Sequence, residues 1–397
     1  GGAGGANGIG GPNGPGGIGP GVLDPVALMA HYDVVPVEAG TEQDWRQPPF
    51  SGALADGRVW GRGALDIKGQ LMAQLEAAEN LMRAGRAPRR DVYFCYGQDE
   101  ETGGRQGAAE IVKLLAARGI RFAGVLDEGG MVLSGALANV TAPVGLIGVA
   151  EKGLSNYQFK VAGSGGHSST PPRHTSLGLA AKLITLIEGR PMPPRLTAPV
   201  EAMLRNLSGE MGFAMRLAMA NLWLFRPLVV RALAAGPTTN ALVRTTFAVT
   251  MASAGEAPNV LPQTSRFCVN ARVLTGDSPQ SVRRHFEELI ARAGIEATVE
   301  PMLEQGASPV SPSDSEFFRG VERLINDLYP SALVSPYLVV GGTDARRFHA
   351  LSDNVLRLTP IHLHDRELAQ LHGTDESISF DDYGRMIAFY ERFLRQQ

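Results

Sequence analysis

The stretch Asp91–Gly119, DVYFCYGQDEETGGRQGAAEIVKLLAARG, decides the fold. An apolar run of strand length, Val92 to Gly97, breaks at three adjacent carboxylates, Asp99, Glu100 and Glu101. A helix-like segment, GAAEIVKLLAARG, follows at once. This is one strand–helix step of an α/β layer. The acids raise a second question, because like charges this close raise one another's pKa. A solvated turn tolerates the crowding; a buried site does so only with positive charge among them. Acids ahead of a helix also suit the positive end of its macrodipole, but three exceed what a cap requires.

The same alternation extends on both sides. Val26–Tyr32, Phe122–Leu126 and Val144–Val149 read as strands, with KGQLMAQLEAAENLMRAG as an intervening helix. LSNYQFKVAG, TTFAVTMASAG and SRFCVNARVL then alternate apolar and polar residues, as half-exposed antiparallel strands do. After them EFFRGVERLINDLYP, ALVSPYLVV, NVLRLTP and YGRMIAFYERFLRQQ resume the first pattern. The expected organisation is a glycine-rich segment over 1–22 and an α/β catalytic domain with a mostly parallel sheet over 23–152 and 303–397. An α+β domain is inserted over 153–302.

The chain has 397 residues, 44% hydrophobic, which suffices for two cores. A net charge of -3 gives no footprint for nucleic acid. Cys95 and Cys268 each sit in an apolar run and read as buried thiols rather than a disulfide framework. No apolar run is long enough to span a membrane, since Arg216, Arg226 and Arg231 interrupt the longest candidate. The letters GPGGIG, Gly14–Gly19, fit a dinucleotide fingerprint but follow no strand and contain Pro15, so they read as low complexity. No export signal is visible, but the chain opens without methionine. The compartment stays open, with the cytoplasm the default expectation.

Open parallel sheets bind ligands beyond the carboxyl ends of their strands. His31 and Asp33 close the first strand, Asp66 precedes a helix, Glu100 and Glu101 follow VYFCYG, and Asp127 and Glu128 follow FAGVL. Any one of these features alone is a bland surface pair; four at successive strand ends are not. Imidazole and carboxylates without thiolates suit zinc, manganese or cobalt in an open catalytic site. Two such ions with a bridging carboxylate would offset the repulsion among the acids. The residues themselves do not separate Asp127 from Glu128.

The segments LMAHYDVVPV, WGRGALDIKGQL, QDEETGGRQGA, VLDEGG, GSGGHSS, GGTDARRF and LHGTDESIS, taken in order, resemble the motifs of a zinc peptidase family. It includes aminoacylase, carboxypeptidase S and succinyl-diaminopimelate desuccinylase, and the carboxypeptidase S and N-acyl-amino-acid hydrolase branch is the nearest in pattern. The resemblance implies a ferredoxin-like insert that serves as lid and dimerisation domain. It implies two zinc ions, one held by His31, Asp66 and Asp127 and the other by Asp66, Glu101 and His372, with Asp66 bridging. Asp127 is preferred over Glu128 on the family pattern alone. Asp33 would accept the second ring N–H of His31, and Glu100 would be the general base. His167 would be an oxyanion donor delivered across a homodimer. Asn259, Arg272, Gly342, Thr343 and Arg346 would hold the substrate and its carboxylate.

The expected activity is hydrolysis of the amide between an N-acyl or N-peptidyl group and a C-terminal amino acid. A deacylase for polar acyl groups is the alternative, and a non-catalytic amino-acid-binding relative is disfavoured because Asp66, Glu100 and His372 are present. His349, His362 and His364 fall outside the motifs and are expected to bind no metal. The Met- and Leu-rich stretch near 200–235 reads first as core helices, then as a wall for an apolar acyl group or a surface-lying helix. Asn139 and Asn206 are glycosylation sequons only in letters.

Overall fold

The structure, a computed structural model, describes residues 23–135 and 140–397. The glycine tract with its GPGGIG letters, and Asn139, lie outside them. Val26–His31, buried at every position, is flanked in parallel by Val92–Gly97 and Gly124–Asp127. Val355–Arg357 extends this parallel core. A strand covered on both faces needs apolar residues throughout, which is why VALMAH shows no alternation. Beyond Arg357 the sheet turns mixed, through Val144–Glu151 with Leu333–Val339 parallel beside it.

The period of two divides the first strand between two cores. Val26 and Leu28 meet Ala73, Ala77, Phe389 and Phe393 from the helices Lys68–Arg83 and Phe380–Gln396. Ala27 and Met29 face Cys95, Val125 and Phe348, with Ala108–Ala117 closing that side. Each fully buried Leu or Phe side chain contributes roughly 1.5–3 kcal/mol. Both cysteines are free and buried.

The insert follows the order β-α-β-β-α-β, the split form that gives a ferredoxin-like sheet. Its four strands run Thr246–Ser253, Thr264–Val273, Gly153–Ala162, Ala297–Gln305 across an antiparallel sheet. Tyr157, Phe159 and Val161 alternate inward, and Phe159 stacks on Phe267 at 4.6 Å. The helices Ser176–Gly189 and Pro279–Ala293 cover that face. Ser278 starts the second helix with a capping box and Gly294 ends it in the left-handed region.

The segment expected as one inserted body over 153–302 divides by packing. The helices between Ala198 and Val243 bury Val200, Met203, Leu204 and Leu222 against Val144, Leu146 and Leu338 of the catalytic sheet. By packing they lie on the catalytic sheet, next to the strands Val144–Glu151 and Leu333–Val339. The chain crosses between layers at Gly153 and Gly306, so tightly that a Cβ on Gly153 would lie 2.3 Å from the Gln305 carbonyl oxygen.

Candidate metal centre and active site

Three parallel strands of the sheet deliver their polar residues to one place, as the carboxyl-end rule requires. His31 is the last residue of its strand, Glu100 and Glu101 begin the turn after Val92–Gly97, and Glu128 follows Gly124–Asp127. Asp66 comes from the turn before Lys68–Arg83, and His372 from a loop far along the chain. Asp66 stands between the two histidines: its Oδ1 is 3.0 Å from His31 Nε2 and its Oδ2 2.9 Å from His372 Nε2. Glu128 Oε1 lies 3.4 Å from His31 Nε2, and Glu101 Oε1 lies 3.4 Å from His372 Nε2. Ligand atoms of His31, Asp66 and Glu101 fall within 4.8 Å of one another, as do those of His31, Glu100 and Glu128.

Asp33 organises this cluster in a way the sequence reading caught only in part. The Nδ1–H of His31 donates to the Asp33 backbone carbonyl at 3.0 Å, with the carboxylate at 3.3 Å. The carboxylate oxygens themselves accept the backbone N–H groups of Glu100 and Glu101, at 3.2 and 3.1 Å. One residue thereby fixes the ring of His31 and the placement of both acids.

Asp127 and Glu128, which the residues alone do not separate, take different surroundings. Asp127 is the last residue of its strand and Glu128 the first past its end, and the two side chains take different places. The structure turns Glu128 to His31. Asp127 is 2% exposed, forms no ion pair with either histidine, and leaves its Oδ2 without a hydrogen-bond partner. Its carbonyl binds the Leu358 N–H, which keeps it within the sheet.

The cluster is short of positive charge. Among the described residues no lysine or arginine pairs with Asp66, Glu100, Glu101 or Glu128; the histidines are their only cationic neighbours. Burial, then the charge of Glu128, pushes the Glu100 carboxyl up to about 10. Burial and Asp66 push Glu128 up to about 8. Burial disfavours a charged His31, yet hydrogen bonds to Asp66 and Glu128 override it and hold the ring well above its usual range. Asp66 resists its own burial through the hydrogen bonds of His31 and His372, and its pKa falls. Glu101 Oε1 is buried without a hydrogen-bond partner. Crowded oxygens, two imidazoles, no thiolate and unspent acceptors together fit divalent cations of the zinc, manganese or cobalt kind.

Sequence reasoning missed the support beneath this cluster. Glu376 is fully buried, and its Oε1 accepts the backbone N–H groups of Gly63, Leu65 and Asp66. Its Oε2 receives Arg62 Nη1 at 2.7 Å, while Arg62 Nη2 donates to the His372 and Gly373 carbonyls. The Asp66 turn and the His372 loop are therefore tied to one ion pair. Its partners lie 314 positions apart, and the only local signal was an acid inside LHGTDESIS.

A cavity of about 680 Å³ opens over the cluster. Arg272 and Asn156 enter it from the lid sheet, and Gly342, Thr343 and Arg346 line it from the catalytic layer. Arg272 has no acidic partner among the described residues, and burial lowers its pKa. Arg346 is held by Glu151 at 3.0 Å and by the carbonyls of Lys152 and Gly306. The Thr343 N–H and hydroxyl both donate to Glu151, which also receives Arg357, so Thr343 holds its loop rather than offering its hydroxyl to the cavity. Met131, Tyr337, Val339, Ile361 and Leu363 make an apolar wall.

His167 and Asn259 lie at an exposed two-stranded ribbon formed by Gly166–His167 and Val260–Leu261, with Ser168 N–H bound to the Asn259 carbonyl, and neither lines the cavity. His349 stands against Arg357, where burial and that charge push it down to about 3. His362 bonds to Ser134 Oγ at 2.9 Å beside His364. No metal-ligating group forms around these three among the described residues.

An inserted-lid α/β fold with a histidine–carboxylate cluster under a cavity defines a hydrolase of amides or peptides. Residues 27–396 match the model of Peptidase family M20/M25/M40, and the chain belongs to that family. It is 37% identical over 373 residues to the N-fatty-acyl-amino acid synthase/hydrolase PM20D1 of Xenopus tropicalis, covering 94% of this chain and 72% of that protein. Carboxypeptidase S of Saccharomyces cerevisiae is 30% identical over 420 residues, with coverage of 94% and 71%. In fold the chain matches an M20 family metallo-carboxypeptidase, Sso-CP2 of Sulfolobus solfataricus, at a TM-score of 0.70 and 20% identity. That match covers 95% of this chain and 86% of the other.

Proposed function

We propose that this enzyme cleaves the amide between an apolar N-acyl group and a C-terminal amino acid, using two divalent ions. His31, Asp66 and Glu128 would hold one, and Asp66, Glu101 and His372 the other. Asp66 carries the reading, because its two oxygens face two different histidines at 3.0 and 2.9 Å. A bound pair of zinc, cobalt or manganese ions supplies Lewis acidity toward a carbonyl oxygen and lowers the pKa of water.

The chain's own groups do the rest. Glu100, free of any cationic partner of its own, takes the proton of the attacking water and passes it to the leaving nitrogen. Arg272, unpaired and facing the cavity, receives the substrate carboxylate, for which its planar fork is suited. The wall of Met131, Tyr337, Ile361 and Leu363 excludes water and receives the acyl chain. The names of the PM20D1 and carboxypeptidase S relatives favour an acyl or peptidyl donor of this kind. His167 and Asn259 serve the partner's site in a homodimer, which accounts for their distance from the cavity of their own chain.

The test is hydrolysis by metal-analysed enzyme of N-acyl amino acids of short, medium and long chain, alongside blocked dipeptides and N-succinyl amino acids. Preference for longer acyl chains is expected. Preference for the succinyl substrates would favour the polar deacylase instead.

A further inference from the structure

We propose that the helical face built by Phe213–Ala220 and Leu222–Leu233 docks on an anionic phospholipid surface. These helices are apolar on two sides. Met215, Met219, Leu222 and Val229 face inward, onto the cluster that covers the catalytic sheet. A second stripe, Phe213, Leu217, Leu224 and Leu228, recurs at helical spacing and points outward, with 73%, 45%, 56% and 64% of each residue exposed. Trp223 beside it is 82% exposed. A helix apolar all round is normally buried on every side or seated in lipid. Exposed apolar side chains of this size, on two helices that contact each other, mark a contact surface.

Charge selects the occupant. From Met211 to Arg244 the chain has four arginines and no acid. Arg195, Arg226, Arg231 and Arg244 line one cavity of about 640 Å³ at the flank of this face, with Pro227 and Val230 between them. Arg195 is paired with Asp277 and Arg226 with Glu201, but Arg231 and Arg244 meet no acid at ion-pair distance among the described residues. The Arg244 Nε is buried without a hydrogen-bond partner. Aliphatic and indole side chains framed by unneutralised guanidinium groups match acyl chains below a layer of phosphate headgroups. A protein partner would more commonly present a mixed rim of both signs. Among the described residues no helix is long and apolar enough to cross the bilayer, so the contact proposed is with its surface.

The placement also has a consequence for access. Tyr337 belongs both to the apolar wall of the substrate cavity and to the cluster beneath these helices. A lipid-soluble substrate would leave the bilayer close to that wall. The docking surface itself does not depend on the substrate reading, and its test measures binding rather than turnover.

The experiment floats the full chain with neutral phosphatidylcholine vesicles and with vesicles containing phosphatidylglycerol. Brominated lipids in the same vesicles report tryptophan depth. Selective binding to the anionic vesicles is expected, with fluorescence quenching that Trp223→Phe abolishes. Leu224→Glu/Leu228→Glu should weaken binding about tenfold or more, and Arg231→Glu should weaken it by several-fold. Salt near 0.5 M should release a large share of the protein. All four substitutions lie on exposed positions outside the active site, so turnover of a water-soluble substrate checks that each variant is folded. Absence of vesicle binding, equal binding to neutral and anionic vesicles, or equal binding by the double variant overturns the proposal. Loss of a dimer in the double variant without vesicle binding by the parent also overturns it, and would assign the face to a second copy of the chain.

Discussion

Replacing Glu376 by Gln tests whether a single buried ion pair assembles the metal centre. The substitution keeps an acceptor for the N–H groups of Gly63, Leu65 and Asp66 but presents an amide N–H₂ to Arg62. Arg62 and Glu376 are 4% and 0% exposed in their side chains and stand 2.7 Å apart, so water cannot restore the lost partner. Removing one member of a buried pair costs about 3–5 kcal/mol. Arg62 keeps its bonds to the His372 and Gly373 carbonyls and its place over Trp45, at 5.2 Å from the ring centroid. The low end of that range, about 3 kcal/mol, is therefore expected.

Because Arg62 and Glu376 join the Asp66 turn to the His372 loop, part of that cost falls on metal affinity. Loss of outer support typically weakens a site by about 10–100-fold. Chelator competition with zinc measures the affinity, and urea unfolding of metal-free protein measures the stability. Arg62→Met and the double variant complete a cycle, and coupling well above about 0.5 kcal/mol is expected for groups in contact. Unchanged zinc affinity in Glu376→Gln, with additive effects in the double variant, would refute the argument that this pair positions Asp66.

Three further outcomes follow from the same geometry. Glu100→Gln should retain metal while turnover falls by about 10²–10⁴-fold, measured by single-substrate kinetics beside metal analysis. Glu128→Gln should lose metal, whereas Asp127→Asn should retain it, since only Glu128 approaches His31, at 3.4 Å; metal content after dialysis decides between them. Burial, with Arg272 nearby, pushes the Lys152 ammonium from 10.5 down to about 7, so between these values the unfolded chain binds more protons than the folded one. Stability therefore rises with pH through that window. Lys152→Met should flatten the rise, as read by urea unfolding at intervals across it.

Much of this was legible because it is periodic or local. The uninterrupted apolar run of VALMAH announced a strand buried on both faces, and the alternation in GLSNYQFKVA announced one that is covered on a single side. The order of helices and strands gave the insert. What stayed hidden depends on packing between distant segments. Glu376 is one acid in a polar loop until the fold sets Arg62 against it, and Glu151 is an acid at a strand end until Arg346, Arg357 and Thr343 converge on it. The helices of 198–243 were legible as apolar, but composition does not say which layer they cover.

The Asp127–Glu128 pair shows why the remaining ambiguity was physical. Both are carboxylates, both stand at the end of the same strand, and either has the reach to ligate a metal. Their difference is one of register. A shift of one residue in a strand exchanges its two faces, and the register is set by pairing of Val26 with Gly124 and of Arg357 with Asp127. Those pairs bring segments together from across the chain. They leave Asp127 in the sheet, where burial pushes its carboxyl up to about 6, and put Glu128 beside His31. Strand alignment therefore decides which of the two carboxylates stands beside His31, and the chemistry of the two side chains has no vote in it.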